Sequence, residues 1–299
     1  MTELRGRMNL SNWYIADDPR RAIEVASTGV ELARRVGHGD WAASLAANVA
    51  MAAFAAGDWD TILQNEAQLD GESLTTFARF GLIGPASVIR AHRGVDQPPV
   101  LDTVVGRAML TSGAAQDRGS ALAAAALIEY AAGDLRAAVQ TAYRSLHEMP
   151  EGTESLVSLV IAAHGLVELR DADALAEAIE VISGLGHAAG EWLDASLGQL
   201  HAALTWLRGD PITGERGYRE AMEAMRRLDL AYSLLLAEMG MAILGGPGLR
   251  GGDAIVQEAR SIAGRLGASQ LRERMDRAIG SGIAPQPDHA GADVSEVVA

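Results

Sequence analysis

One pentapeptide pattern recurs at a fixed stride, and it limits the fold more than any other feature. Phe54-Ala55-Ala56-Gly57-Asp58, Tyr130-Ala131-Ala132-Gly133-Asp134 and Trp206-Leu207-Arg208-Gly209-Asp210 each read aromatic-x-x-Gly-Asp. Their aromatic positions, 54, 130 and 206, are two equal steps of 76. Ala precedes each Gly by seven positions, at Ala50, Ala126 and Ala202. Weaker turn signals fall half-way between, at Gly94-Val95-Asp96, Arg170-Asp171-Ala172 and Gly246-Pro247-Gly248, with an earlier one at Ala16-Asp17-Asp18-Pro19. Small residues, Ser87, Ala163 and Gly240, precede these turns at a similar distance. A unit of about 38 residues, doubled to 76, is the mark of a repeat architecture.

The turn chemistry explains the pattern. Gly accepts the positive φ that ends a helix, and the following Asp is expected to cap the next helix through its carboxylate. Pro19 and Pro211 each follow an Asp, which suits a first helical turn. Between turns the apolar residues keep helical spacing: Leu135, Ala138, Val139, Ala142 and Leu146 follow i, i+3, i+4, i+7, i+11, and Leu175, Ala178, Ile179, Ile182 and Leu185 do the same. No stretch alternates with period two. Helices are predicted at 2–15, 19–36, 40–56, 59–69, 73–92, 98–112, 117–132, 134–147, 153–169, 171–184, 188–208, 211–227, 229–244, 252–266 and 268–279. The expected fold is an all-α superhelical solenoid of about seven antiparallel helical hairpins over residues 1–279. Residues 280–299, rich in Gly, Pro, Ala and acids, are expected to be a disordered tail.

Composition fits and narrows this. Hydrophobic residues make up 48% of the chain but aromatics only 4%, so the core is built largely from Ala and needs close helix approach to fill. The net charge of −14 argues against binding nucleic acid or an anionic membrane surface. Cys is absent, which excludes disulfides and thiolate chemistry. Lys is absent too, so neither a Schiff-base Lys nor a P-loop Lys exists. The N-terminus has no apolar signal segment, and the longest near-apolar run, Trp41 to Ala56, is too short to span a bilayer. A cytoplasmic location is expected.

The turn motif and the small residue ahead of it resemble the tetratricopeptide repeat family over nearly all of residues 1–266. The unit here is longer than that family's roughly 34 residues. The family's small residue in the second helix is kept as Ala138 but replaced by Ile62, Leu175 and Gly214. A narrower likeness sits at the N-terminus, in Asn9-Leu10-Ser11-Asn12, Asp18-Pro19-Arg20-Arg21-Ala22, Gly29 to Gly37 and Gly57-Asp58-Trp59-Asp60. These look like the C-terminal arrays of bacterial signalling proteins that carry an AAA-like ATPase with a nucleotide cyclase or a LuxR-type DNA-binding domain. The resemblance implies a sensing or interaction role.

The polar residues form no catalytic or metal-binding motif. No two of the seven His are spaced i, i+3 or i, i+4, and no HExxH occurs. The Gly245 to Asp253 stretch follows a helix and lacks the Lys of a phosphate cradle. Asp17-Asp18 is followed by Pro19, Arg20 and Arg21 instead of the third acid of a Mg²⁺ site, and reads as a cap. The acid pairs Asp58/Asp60 and Asp171/Asp173 lie at turns. Glycosidase-like paired carboxylates would need more sugar-stacking surface than 13 aromatics offer, and no GxSxG elbow is present. No cofactor or metal is expected. Arg pairs such as Arg34/Arg35 and Arg226/Arg227 suit helix C-termini.

Phe54, Tyr130 and Trp206 are either core residues packed on the turn or groove residues. In the second case Met51, Leu127 and Gln199, on the same helix faces, join them in a mostly apolar groove. Gly57, Asp58, Gly133, Asp134, Gly209 and Asp210 are the structural turns. The functional expectation is a non-catalytic scaffold that binds a protein segment or a small effector. The alternative is an all-α enzyme with its site in the concave surface; a pocket with convergent acids or His would favour it, an open groove the scaffold.

Overall fold

In a computed structural model, residues 2–15, 17–67, 74–185 and 190–280 are described. The expected tail beyond Gly280, and His187 and His289, lie outside them; Gly280 itself ends the last helix. Within them the chain is all-helical and has no strand. The helices are α1 (Thr2–Ile15), α2 (Pro19–Arg35), α3 (Gly39–Ala56), α4 (Trp59–Ala67), α5 (Thr76–His92), α6 (Val104–Leu110), α7 (Ala115–Ala132), α8 (Leu135–Glu148), α9 (Thr153–Glu168), α10 (Ala172–Gly184), α11 (Glu191–Leu207), α12 (Pro211–Arg227), α13 (Ala231–Gly245), α14 (Gly252–Leu266) and α15 (Ser269–Gly280).

The repeated Gly-Asp turn works through its backbone. Gly57, Gly133 and Gly209 have φ of 81°, 89° and 97°. In each turn the Gly N–H donates to the carbonyl of the aromatic residue, at 3.3, 3.1 and 3.0 Å. The Asp N–H donates to the residue before it, at 2.8, 2.9 and 3.2 Å. This paired closure satisfies carbonyls that the helix end leaves free. The expected side-chain cap is corrected at Asp134, whose carboxylate makes no capping bond. Asp210 does cap, accepting from Thr213 N–H at 3.1 Å, as do Asp18 and Asp171. The same backbone closure recurs with Arg170 and Asp229 in the left-handed region, at φ of 56° and 54°.

One predicted helix is corrected. Residues 98–112 do not form a single element; a 3-10 turn at Val100–Asp102 is followed by the short α6. Pro98 and Pro99 have no N–H to give, and the Thr103 hydroxyl starts α6 afresh by accepting from Gly106 N–H at 3.0 Å.

Consecutive helices pack as neighbours: α2 on α3, α7 on α8, α11 on α12. The small residues sit where helices approach most closely. Ala50, Ala126 and Ala163 have no exposed surface. A Cβ on Gly217 would stand 2.9 Å from that of Ala202, so α12 could not lie this close to α11 with a larger residue there.

Two kinds of helix emerge. α2, α8 and α12 bury single stripes, such as Ala138, Val139, Ala142 and Leu146 in α8. By contrast α9 buries every residue from Ser155 to Glu168, and α13 every residue from Tyr232 to Leu244. Such helices are covered on all sides. α13 touches α3, α9, α11, α12 and α14, and α15 lies across α5, α7 and α13. Distant parts of the chain therefore meet. Arg20 pairs with Asp229 at 2.6 Å, and the Arg93 guanidinium donates to the Leu266 carbonyl at 3.2 Å. In an array whose repeats touch only their neighbours these contacts would be missing; here the inner helix layer closes on itself.

Candidate functional site

The odd-numbered helices from α1 to α9 surround a cavity of about 640 Å³. Its walls follow from local sequence. The Asn48 side-chain amide donates to the Met8 carbonyl at 3.2 Å and to the Ser11 hydroxyl at 2.9 Å, which fixes α1 against α3. Ala47 and Gly81 both border the space, and a Cβ on Gly81 would come within 2.6 Å of the Ala47 Cβ, so only Gly lets α5 approach α3 here. Pro85, inside α5, also borders it and can give no N–H to the Gly81 carbonyl. Deeper, the Ser145 hydroxyl donates to the Gly119 carbonyl at 2.8 Å, and the Ser155 hydroxyl to the Ser145 carbonyl at 3.1 Å, tying α7, α8 and α9 together.

The cavity is polar at one end and apolar at the other. Asn9, Asn12, Asp40, Gln116 and Glu151 are exposed and form the mouth. Phe54, Val88, Leu127 and Val157 are buried and form the floor. Trp41, Phe77 and Phe80 add aromatic wall between them. Glu154 borders the space half-buried, and burial pushes its carboxyl above the usual range. Ser120 is 8% exposed, borders the cavity, and its hydroxyl has no hydrogen-bond partner. No Arg or His borders the cavity among the described residues. A recess of about 20 Å³ shares Met51, Phe54, Thr153 and Val157 with the main chamber and ends on Trp192 and Tyr232.

Behind the floor lies a buried polar cluster. Phe54 stacks on Trp59 with ring centres 5.6 Å apart and meets Tyr232 at 4.9 Å. The Tyr232 hydroxyl and His92 Nε2 are 3.0 Å apart. Burial, with Arg274 nearby, lowers His92 to a pKa of about 3, so the ring is neutral. The Tyr130 hydroxyl donates to Glu168 at 3.1 Å, and Arg274 pairs with Glu168 at 2.8 Å while lying 4.6 Å from the Tyr130 ring centre. Burial pushes Glu168 up, and the Arg274 charge pulls against that. Arg274 also donates to the Tyr130 carbonyl at 2.6 Å, so α15 is pinned to the end of α7 at the second repeated turn.

Of the six residues singled out for a groove, the structure gathers Met51, Phe54 and Leu127 on the cavity and leaves three elsewhere. Tyr130 is wholly buried under Arg274. Trp206 lies edge-on to Tyr218 at 6.4 Å, and Gln199 donates to the Tyr218 hydroxyl at 3.1 Å. The inner face is covered by α15 at the second repeat, and at the third α12 takes up Trp206 and Gln199. Sequence reasoning missed Trp41, Phe77, Phe80 and Glu154. The spacing Gln116, Ser120, Ala123, Ala124, Leu127 is a helical stripe that ends at the repeat motif and was the available signal.

Among the described residues no group of three His, Asp or Glu is placed to hold a metal ion, and no helix is long and apolar enough to cross a membrane. No family model, curated protein or solved structure matches the chain.

Proposed function

We propose that this chain is a non-catalytic sensing module, a superhelical array of about seven tetratricopeptide-like helical hairpins whose inner layer closes on itself, and that its cavity takes one small effector. The observation that carries this is the cavity of about 640 Å³ with its buried apolar floor and hydrophilic mouth. That volume falls within the range of small-molecule sites. An extended peptide is the weaker fit, because the contacts of α13 with α3 and of α15 with α5 and α7 close the inner surface along which a peptide would lie. The N-terminal likeness to arrays of bacterial signalling regulators supports a sensory role, in which an occupied cavity draws the surrounding helices together and a partner reads the change.

A neutral fluorophore, N-phenyl-1-naphthylamine, tests the cavity. Saturable one-to-one binding with enhanced emission is expected. Ala123→Trp, which fills the chamber from α7, should abolish it while circular dichroism stays helical. Binding that survives this substitution would place the fluorophore elsewhere and refute the reading.

The three carboxylates around the chamber, Asp40, Glu151 and Glu154, favour a second reading, an enzyme with its site in this cavity. Two carboxyl groups flanking a bound substrate are the arrangement glycoside hydrolases use. A screen of chromogenic glycosides and esters, with Glu154→Gln as control, separates the two: turnover lost in the variant supports the enzyme, no turnover supports the sensor.

A further inference from the structure

The charged residues of the cavity all carry one sign. Asp40, Glu151 and Glu154 border it, and no cationic side chain does among the described residues. Four buried or half-buried acids elsewhere each lie beside an Arg. Glu66 pairs with Arg90 at 2.6 Å, Glu148 with Arg118 at 2.7 Å, Glu168 with Arg274 at 2.8 Å and Glu238 with Arg226 at 3.1 Å. Glu148 lies only three residues before Glu151. Asp40, Glu151 and Glu154 have no ion-pair partner among the described residues. Three acids and no cation around a single chamber leave a negative potential inside it, which a low-dielectric wall intensifies.

Two more features bear on the ligand. Trp41, Phe77 and Phe80 line the chamber together with these acids, and aromatic faces attract cations, above all alkylated ammonium groups. Independently, the Ser120 hydroxyl is more than nine-tenths buried, unpartnered and on the cavity wall. An orphaned hydroxyl of this kind calls for a partner, and a polar atom of a bound molecule would supply it.

Resting on the reading of the cavity as an effector site, we infer that its ligand is an amphiphilic organic cation, a protonated or quaternary amine with an apolar body. The ammonium group sits among Asp40, Glu151, Glu154 and the aromatic wall. The hydrocarbon part lies against Phe54, Leu127 and Val157. Carboxylate, phosphate and sulfate ligands are rejected, because their charge would meet these acids with no donor cation to offset it. Glu154 follows the same logic: burial raises its carboxyl above the usual range, and a cation beside it would pull it back down.

Three probes with one chain length separate charge from apolar fit: decyltrimethylammonium, decanol and decanoate, each titrated by calorimetry below its micelle concentration. The cation is expected to bind about tenfold or more tightly than the alcohol, and decanoate least. Raising the salt should weaken the cation and leave the alcohol unchanged. Glu154→Gln, with Asp40→Asn as a second variant in case the first disturbs the fold, should cut cation affinity several-fold and spare the alcohol. Equal affinity for cation and alcohol, or tighter binding of decanoate, overturns the charge inference and leaves the cavity reading standing. If none of the three binds, both fall.

Discussion

His164 offers the sharpest test of the packing. It lies in α9, is 5% exposed, and its Nδ1 has no hydrogen-bond partner. Burial lowers its pKa from 6.5 to about 3, and no charged neighbour contributes to the shift. A His whose folded pKa is depressed favours the fold while neutral. Its contribution is present above the unfolded value and is lost as pH falls from about 6.5 towards 3. From pH 7 to pH 5 the unfolded imidazole becomes almost fully protonated and the folded one does not, which costs about 2 kcal/mol for this residue. Other groups blur the raw pH profile. His92 acts in the same direction, whereas Glu238, pushed up to about 9 by burial and Glu258, acts in the other: its term is fully present below 4.5 and disappears as pH rises through 9. The comparison must therefore be a difference. His164→Leu keeps the apolar volume and removes the titration. Urea unfolding followed by circular dichroism at pH 7, 6 and 5 should find the variant's advantage growing by about 2 kcal/mol across that range. A difference that stays flat with pH would mean the imidazole reaches water, and that α9 is not enclosed as described.

The remaining predictions concern the turns and the two buried ion pairs. Gly133→Val should lower the melting temperature through a loss of about 1–2 kcal/mol, because the left-handed φ is strained for any side chain. A Cβ there would meet nothing closer than 3.7 Å, so the cost is conformational, and an unchanged melt would contradict the turn geometry. Arg274→Met strands the Glu168 carboxylate and should cost about 3–5 kcal/mol in urea unfolding; adding Glu168→Gln should recover much of it, and simple additivity of the two changes would argue against the pair. Glu238→Gln should stabilise the protein at pH 8 by about 1 kcal/mol or more and lose that advantage at pH 5, since the raised pKa makes the ionised form the costly one. A destabilised variant at pH 8 would show that the ion pair with Arg226 outweighs the burial.

The helices were legible in the sequence because local chemistry fixes their ends. Gly57, Gly133 and Gly209 punctuate the chain in a way only positive-φ residues can. At two other ends the break was legible but its left-handed geometry was not. Arg170 and Asp229 take the same left-handed conformation without being Gly, and contacts made later in the fold offset their strain. Arg170 donates to the Ile243 carbonyl at 2.9 Å and Asp229 receives Arg20. Neither partner is near in sequence, so no window could reveal them. The cavity was half legible for the same reason. Met51, Phe54 and Leu127 follow from one helix face, whereas Tyr130 and Trp206 obey the same repeat and end up away from the chamber.

This difference within a repeat is itself informative. Identical motifs make identical turns, so whatever separates Phe54 from Tyr130 and Trp206 comes from elements outside the motif. At Tyr130 that element is α15, which brings Arg274 and closes the space; at Trp206 it is Tyr218 of α12. At Phe54 the inner face stays open because α1 stands off on the far side of Asn48 and because Gly81 and Pro85 shape α5 around the gap. A packed core would have been the cheaper outcome for an Ala-rich array, since voids forfeit dispersion contacts. The chain instead keeps a chamber bordered by three acids and, among the described residues, no cation. Stability does not call for that arrangement, and the ligand recognition proposed above would.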